Sequence, residues 1–221
     1  MRIVAIALAV ACLTGNLSSS EPITKNITYF SKDSLGTLPK SWKADRTGKG
    51  EGSVWKVVAD DTAPSKKGYV LAQTAASGNI FNLCVDQSRK IKNVEVSVHF
   101  KAVKGEVDQG GGIVWRYQDA DNYYVARMNP LEDNYRLYKV IKGKRIQLAS
   151  AGKIKVAAGA WHQLTIKHLG SQIECYLDGK KLLEASDDAI MTEGYTGLWT
   201  KSDAQTYFDL FTTSNVQNSK N

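Results

Sequence analysis

The chain has 221 residues, of which 43% are hydrophobic and 23% charged, and it contains only four prolines. This composition excludes an intrinsically disordered chain and a collagen-like fibre, which have fewer apolar residues or more proline and glycine. The length suffices for one large domain or two small ones. The net charge of +7 is spread in short groups, so it identifies no particular anionic partner.

The first 20 residues are typical of a signal peptide. Met1 and Arg2 form a short positive start, residues 3–11 are apolar, and small residues at 18–20 suit cleavage. The apolar run is shorter than the roughly 20 residues that span a bilayer. The sequence therefore predicts an exported protein, periplasmic or extracellular, without a transmembrane segment. Cys12 follows small residues as at a bacterial lipoprotein site, so lipid anchoring through Cys12 remains an alternative.

Beyond the signal peptide, apolar and polar residues alternate with a period of two from about residue 28 to residue 213. In the clearest strand, 94–101, Val94, Val96, Val98 and Phe100 share one face, which we expect to be buried. Further strand-like runs, in chain order, are 53–58, 69–74, 80–86, 111–118, 122–128, 134–141, 144–149, 161–168, 194–200 and 206–213. Asp178-Gly179 is typical of a hairpin turn between two more short strands.

Turn residues separate these runs about every ten residues, and no linker or internal repeat divides the chain. We therefore predict an all-β protein with more than ten strands and little helix, folded as a two-sheet antiparallel jelly-roll sandwich. The predicted domain spans 21–214, followed by a flexible tail at 215–221. The basic groups at 89–92 and 142–145 are interpreted as solvated hairpin ends.

Cys84 and Cys175 each lie inside an apolar, strand-like run. Buried free thiols are the expected state, because two cysteines define no disulfide framework and a core of this size needs none. A disulfide between them remains the alternative.

The segment from Gly110 to Arg127, GGGIVWRYQDADNYYVAR, carries a family resemblance, supported by Trp161-His162-Gln163-Leu164 and by residues 194–200. It resembles the concanavalin A-like lectin and glucanase superfamily, and within it the bacterial group DUF1080, the 3-keto-disaccharide hydrolase domains. The resemblance covers about residues 28–213. It implies a concanavalin A-like jelly roll whose concave sheet can receive a sugar.

A saccharide site needs flat aromatic platforms beside charged or amide donors, and residues 115–138 contain both. Trp115 and Tyr117 are expected on one face of their strand. On the next strand Tyr123 shares a face with Arg127, while Tyr124 lies on the opposite face; which face is concave stays undecided. The predicted ligand-binding residues are Arg116, Tyr124, Arg127, Arg136, Tyr138, Trp199 and Lys201. Alternatively, these residues only cap the sheet, with each arginine paired to a nearby acid such as Glu132.

The superfamily's glucanases use a Glu-x-Asp-x-Glu carboxylate arrangement, which this chain lacks. A 3-keto-glycoside needs only one base to begin elimination, and His99, His162 and His168 are candidates. His162 and His168, however, share the face of apolar neighbours and are expected in the core.

The sequence predicts no cofactor, since no histidine spacing suits a transition metal. Calcium remains an alternative at the oxygen-rich turn formed by Asp119, Asp121 and Asn122.

The leading hypothesis is therefore a secreted carbohydrate-binding, lectin-like domain that holds an oligo- or polysaccharide on its concave sheet. The alternatives are a hydrolase or lyase acting on 3-keto-glycosides and a domain that contacts other envelope proteins. Nucleic acid is not an expected partner of an exported protein, and the oligomeric state is left undetermined.

Overall fold

The computed structural model describes residues 25–217. The predicted signal peptide at 1–20 and the Cys12 anchor site lie outside this range, as do the last four residues of the predicted tail. No helix within the described range has the length and hydropathy that crossing a bilayer requires.

The described residues form fifteen strands and one 3-10 turn, Lys32–Ser34, so the prediction of an all-β protein is confirmed. The strands, in chain order, are β1 Lys25–Thr28, β2 Trp42–Thr47, β3 Trp55–Ala59, β4 Tyr69–Gln73, β5 Phe81–Ile91, β6 Val94–Lys104, β7 Gly111–Asp119, β8 Asn122–Asn129, β9 Asn134–Ile141, β10 Lys144–Gly152, β11 Trp161–Leu169, β12 Gln172–Leu177, β13 Lys180–Ser186, β14 Gly194–Lys201 and β15 Gln205–Asn215.

Two antiparallel sheets make up the sandwich. Sheet A has eight strands, in the order β13-β12-β11-β6-β15-β4-β3 with β1 paired to β15. Sheet B has seven, in the order β10-β9-β8-β7-β14-β5-β2. Each sheet contributes one face to the core, as the period-two alternation predicts. Val94, Val96, Val98 and Phe100 of β6 are buried there against residues of sheet B such as Trp115.

Strands β1 and β2 are absent from the sequence prediction. In β2, only Trp42 and Thr47 are buried, so its alternation is too weak to signal a strand. At the other end of the domain, β15 continues to Asn215, and the backbone NH of Val216 donates to the carbonyl of Asn93 at 3.0 Å. The start of the predicted flexible tail is therefore part of sheet A.

A β-bulge in β7 changes the direction of the side chains that follow it. The pairing of β7 with β8 shifts register between Trp115 and Asp119, and Arg116 has a φ of 44°. Trp115 therefore packs in the core, whereas Tyr117 belongs to the hydrophobic cluster on the outer face of sheet B. The prediction that Trp115 and Tyr117 share a face is wrong, because simple alternation does not extend through a bulge.

His168 is fully buried, as predicted for a core histidine, and its Nδ1 accepts a 2.8 Å hydrogen bond from the indole NH of Trp115. Burial and the nearby charge of Arg116 lower the pKa of His168 to about 3. In the unfolded chain the pKa of histidine is about 6.5. Between these pH values the unfolded state binds the extra proton, so stability is complete above pH 6.5 and falls as the pH is lowered.

Lowering the pH from 7.5 to 5 is expected to reduce the free energy of unfolding by about 2 kcal/mol more in the wild type than in His168→Gln. Glutamine can accept the bond from Trp115 but does not titrate. Urea unfolding of both proteins at the two pH values measures the difference. Equal pH dependence of the two proteins would contradict a neutral, buried His168.

Candidate functional site

The outer face of sheet B is concave. Arg145 lies on the edge strand β10 and Phe81 on β5, five strand positions away, which in a flat sheet would separate them by about 24 Å. The Arg145 guanidinium is nevertheless 4.9 Å from the centre of the Phe81 ring. From the other edge, the Thr47 hydroxyl of β2 lies 2.8 Å from the Tyr123 hydroxyl of β8. Both contacts require the sheet to curl toward its outer face.

Aromatic and aliphatic side chains line this concave face and form a second hydrophobic cluster, separate from the core. Its buried members are Leu83, Val85, Val114, Tyr117, Tyr123, Val125, Tyr138, Val140 and Trp199, with Phe81 and Tyr195 partly buried at its margin. The rings contact one another, as shown by a 5.4 Å separation between the centres of Phe81 and Trp199. The cluster is thus packed as a second, smaller core on the curled side of sheet B, with only its margin partly exposed.

One row of residues crosses four central strands of the face. Trp199 of β14 pairs with Gly112 of β7, Gly112 with Arg127 of β8, and Arg127 with Arg136 of β9. Directly paired residues point to the same side of a sheet. Because Gly112 has no side chain, the row consists of the indole and the two guanidiniums, of which Trp199 and Arg127 are buried and Arg136 is partly exposed.

A network of charged hydrogen bonds connects the arginines of this row. Arg127 donates to Asn134 Oδ1 at 2.6 Å and to Glu132 Oε2 at 2.7 Å, and Arg136 Nη1 lies 3.5 Å from the same carboxylate oxygen. Arg136 also donates to the Tyr138 hydroxyl at 3.5 Å. The side chains of Glu132 and Arg136 are 41% and 33% exposed, so this end of the face is accessible to solvent.

The charge of Glu132 follows from these contacts. Partial burial raises its pKa, but hydrogen bonds from Arg127 and Asn134 and the charges of Arg127 and Arg136 outweigh burial and lower the pKa to about 2. Glu132 is therefore an ionised acceptor at neutral pH, and its pKa is shifted in the wrong direction for a general acid.

Lys201 lies two residues beyond Trp199 on the same face. Its ammonium donates to Asp108 Oδ2 at 2.8 Å, and Asp108 Oδ1 accepts from the Asn129 amide, also at 2.8 Å. Five of the seven predicted site residues are thus on one concave face: Arg127, Arg136, Tyr138, Trp199 and Lys201.

Arg116 and Tyr124 are not on this face, which corrects the prediction for both. Arg116 is fully buried and donates to three loop carbonyls at one end of the sandwich. The Tyr124 ring packs in the core, with its centre 5.7 Å from that of Trp115, and its hydroxyl donates to Asp187 at 2.6 Å. The bulge in β7 turns Arg116 away from the concave surface. In β8, residues alternate between the two faces, and Tyr124 lies on the core side.

One protein-family model matches residues 78–216, that of the galactocerebrosidase C-terminal lectin domain. The chain belongs to this family of lectin domains. No curated protein matches the sequence significantly.

Solved structures with the same fold include a carbohydrate-binding module and the VIP36 exoplasmic/lumenal domain. Carbohydrate-binding module CBM66 from Bacillus subtilis is 18% identical, with 85% of this chain and 100% of that chain covered and a TM-score of 0.63. The exoplasmic/lumenal domain of VIP36, bound to Ca2+ and Man3GlcNAc, is 11% identical over 82% and 86%, with a TM-score of 0.57. A Bacillus subtilis protein of unknown function with a galectin-like fold is 11% identical over 80% and 91%, with a TM-score of 0.56. This lectin domain thus has a lectin-like carbohydrate-binding fold.

One residue that the sequence analysis missed contributes to the concave face of the lectin domain. Arg145, interpreted there as a solvated hairpin end, covers the rings of Phe81 and Tyr138. The two-residue turn Lys142-Gly143, with φ of 51° and 74°, sets the register that pairs Arg145 with Val140. Counting outward from that turn would have placed Arg145 on the face of Tyr138.

The turn considered for calcium is held together by its own hydrogen bonds. Asp119 Oδ1 already accepts hydrogen bonds from the backbone NH of Asp121 and the amide of Asn122, both at 2.8 Å. Among residues 25–217, no group of three or more His, Cys, Asp or Glu side chains could hold a metal ion. These contacts are those of an ordinary Asx turn. Cys84 and Cys175 are buried free thiols, as expected.

The candidate bases lie away from the concave face. His99, His162 and His168 are all on strands of sheet A. His162 is half-buried near Phe100 and its Nδ1 lies 2.8 Å from Asp178 Oδ2. None of the three can act on a ligand held by sheet B.

A cavity of about 300 Å³ lies on sheet A and involves Glu95 and Lys167, an ion pair at 3.2 Å. It presents no arginine and no aromatic ring. It is one of several cavities on the described residues where a small ligand could be tested.

Proposed function

We propose that this lectin domain is an exported protein that binds a saccharide on the concave face of sheet B, through Arg127, Arg136, Tyr138, Trp199 and Lys201. The observation that carries the proposal is the row across β14, β7, β8 and β9, which sets an indole and two hydrogen-bonded guanidiniums side by side. The lectin-domain family and the fold of CBM66 support it.

The physical basis is the two-sided chemistry of a sugar ring. Its C–H face packs on aromatic rings, and its hydroxyls exchange hydrogen bonds with charged groups. Here Arg136 supplies donors, and the ionised Glu132 supplies an acceptor. Because their hydrogen bonds already hold both groups in position, little side-chain entropy remains to be lost on binding.

Export rests on the predicted signal peptide at 1–20, outside the described residues. A structural relative, the VIP36 domain, is exoplasmic or lumenal, which is consistent with this proposal.

Binding is tested by screening the purified domain on a glycan array and titrating the ligands found. We expect Arg136→Met and Glu132→Gln each to weaken binding about tenfold, equivalent to about 1.4 kcal/mol. The Arg136 side chain is partly exposed, so Arg136→Met should change stability by less than about 1 kcal/mol. Glu132→Gln removes the carboxylate that neutralises the buried Arg127 and should cost more. Thermal unfolding of each variant verifies this.

The matched control is Lys167→Met, which removes a partly exposed, ion-paired cation from sheet A. It should leave the affinity unchanged. Loss of binding in this variant, with Arg136→Met unaffected, would move the ligand to the cavity on sheet A and refute the concave site.

Binding is proposed in preference to cleavage of 3-keto-glycosides because the low pKa of Glu132 makes this accessible carboxylate a weak base for the proton abstraction that begins elimination. Incubation with 3-keto-sucrose tests the alternative directly. Turnover that disappears on substitution of one histidine or carboxylate would favour the enzyme.

A further inference from the structure

The three arginines of the concave face differ in how their charges are neutralised. Arg127 and Arg136 share a single carboxylate, that of Glu132. Arg145 contacts the faces of two aromatic rings, and within the described range it has no ion pair or hydrogen bond with a carboxylate. Two cations therefore share one anion, and a third has none.

Each of these guanidiniums also retains a buried N–H group without an acceptor among residues 25–217. The groups are Nε of Arg127, Nε of Arg136 and Nη1 of Arg145. Buried polar groups in proteins are nearly always hydrogen-bonded, and an unpaired charged donor is costly. Three such donors lie on three neighbouring strands of one face, so an added acceptor would gain most there.

Tyr138 shows where that acceptor would lie. Its hydroxyl is 3.5 Å from Arg136 Nη1, and its ring centre is 4.5 Å from the guanidinium carbon of Arg145. The two guanidiniums thus flank one aromatic side chain. A neutral hydroxyl could satisfy a donor, but only an anion also supplies the counter-charge that Arg145 lacks.

Building on the proposed function, we infer that the saccharide held on the concave face carries an oxyanion, and that Arg145 and Arg136 bind it. The oxyanion is the carboxylate of a uronic acid or a sulfate ester, both of which match the planar fork of a guanidinium. Glu132 then remains for the hydroxyls of the same sugar.

Matched pairs of ligands test this inference by titration in 150 mM salt, where long-range attraction is screened beyond about 8 Å. One pair is oligogalacturonate and its carboxyl-reduced counterpart, and the other is a carrageenan oligosaccharide and its desulfated counterpart. We expect the charged member of at least one pair to bind about tenfold more tightly, which also distinguishes carboxylate from sulfate.

Arg145→Gln should lose about tenfold in affinity for the charged member and less than about twofold for the neutral one. Lys144→Gln is the matched control, because it removes the same charge from an exposed neighbouring residue. It should change neither affinity by more than about twofold. Thermal unfolding of both variants confirms that each is folded.

Equal affinity for the charged and neutral members, or equal losses in Arg145→Gln and Lys144→Gln, would overturn the inference and leave saccharide binding standing. Equally tight binding of polyglutamate would also overturn it, since attraction would then be nonspecific. Absence of binding to every saccharide would instead refute the proposed function itself.

Discussion

Replacing Arg116 by methionine is expected to lower the free energy of unfolding by about 3–5 kcal/mol. The Arg116 side chain is 0% exposed and donates to the carbonyls of Lys92 at 2.9 Å, Ile190 at 2.8 Å and Gly170 at 2.8 Å. Methionine fills similar space but donates nothing, so three buried acceptors lose a charged donor at once. Chemical denaturation measures the loss, and the melting temperature should fall by roughly 10 °C.

Arg46→Met is the matched control, because Arg46 is an exposed arginine on β2. Its stability should change by less than about 0.5 kcal/mol. A stable Arg116→Met variant that has lost saccharide binding would restore Arg116 as a site residue, as its sequence context first suggested.

Replacing Gly110 by alanine is expected to cost about 2–4 kcal/mol. Gly110 has a φ of 88°, and a Cβ atom there would lie 2.2 Å from the carbonyl oxygen of Met128 and 2.9 Å from Pro130 Cδ. Backbone strain and steric overlap therefore add. The rest of the Gly110-Gly111-Gly112 run is also closely packed, since a Cβ at Gly111 would lie 2.6 Å from the Phe208 ring.

Gly152→Ala provides the comparison, because a Cβ at this strand-end glycine would meet nothing within 4 Å. Its stability should stay within about 0.5 kcal/mol of the wild type or rise slightly. Denaturant unfolding of the two variants separates the local clash from the general effect of replacing glycine. Equal stabilities would show that β7 and β8 can separate to admit a side chain.

The glycine run at 110–112 and the bulge at Arg116 together shape the part of the concave face that β7 forms. The glycine run lets β7 lie close against its neighbours, and Gly112 leaves room between Trp199 and Arg127 in the pairing row. The bulge at Arg116 then redirects Tyr117 onto the same face. Stability and site geometry therefore depend on the same short segment.

The sequence by itself determined the all-β sandwich, the buried face of β6 and the core position of His168. The reason is that the pleat of a strand gives side chains a local period of two, and burial follows that period wherever the strand is regular. Asp178-Gly179 likewise forms the predicted hairpin turn, because its backbone preference is local.

Only the tertiary structure decided which face is concave and which residues share it. Tyr123 and Tyr124 are equally plausible in the sequence, and the packing of sheet A against sheet B buries Tyr124 in the core. The bulge that turns Arg116 away depends on pairing with β8 and on carbonyls from three distant loops. Arg145 meets Phe81 only because the whole of sheet B curls. Register shifts and curvature arise from contacts between distant segments, which local alternation does not contain.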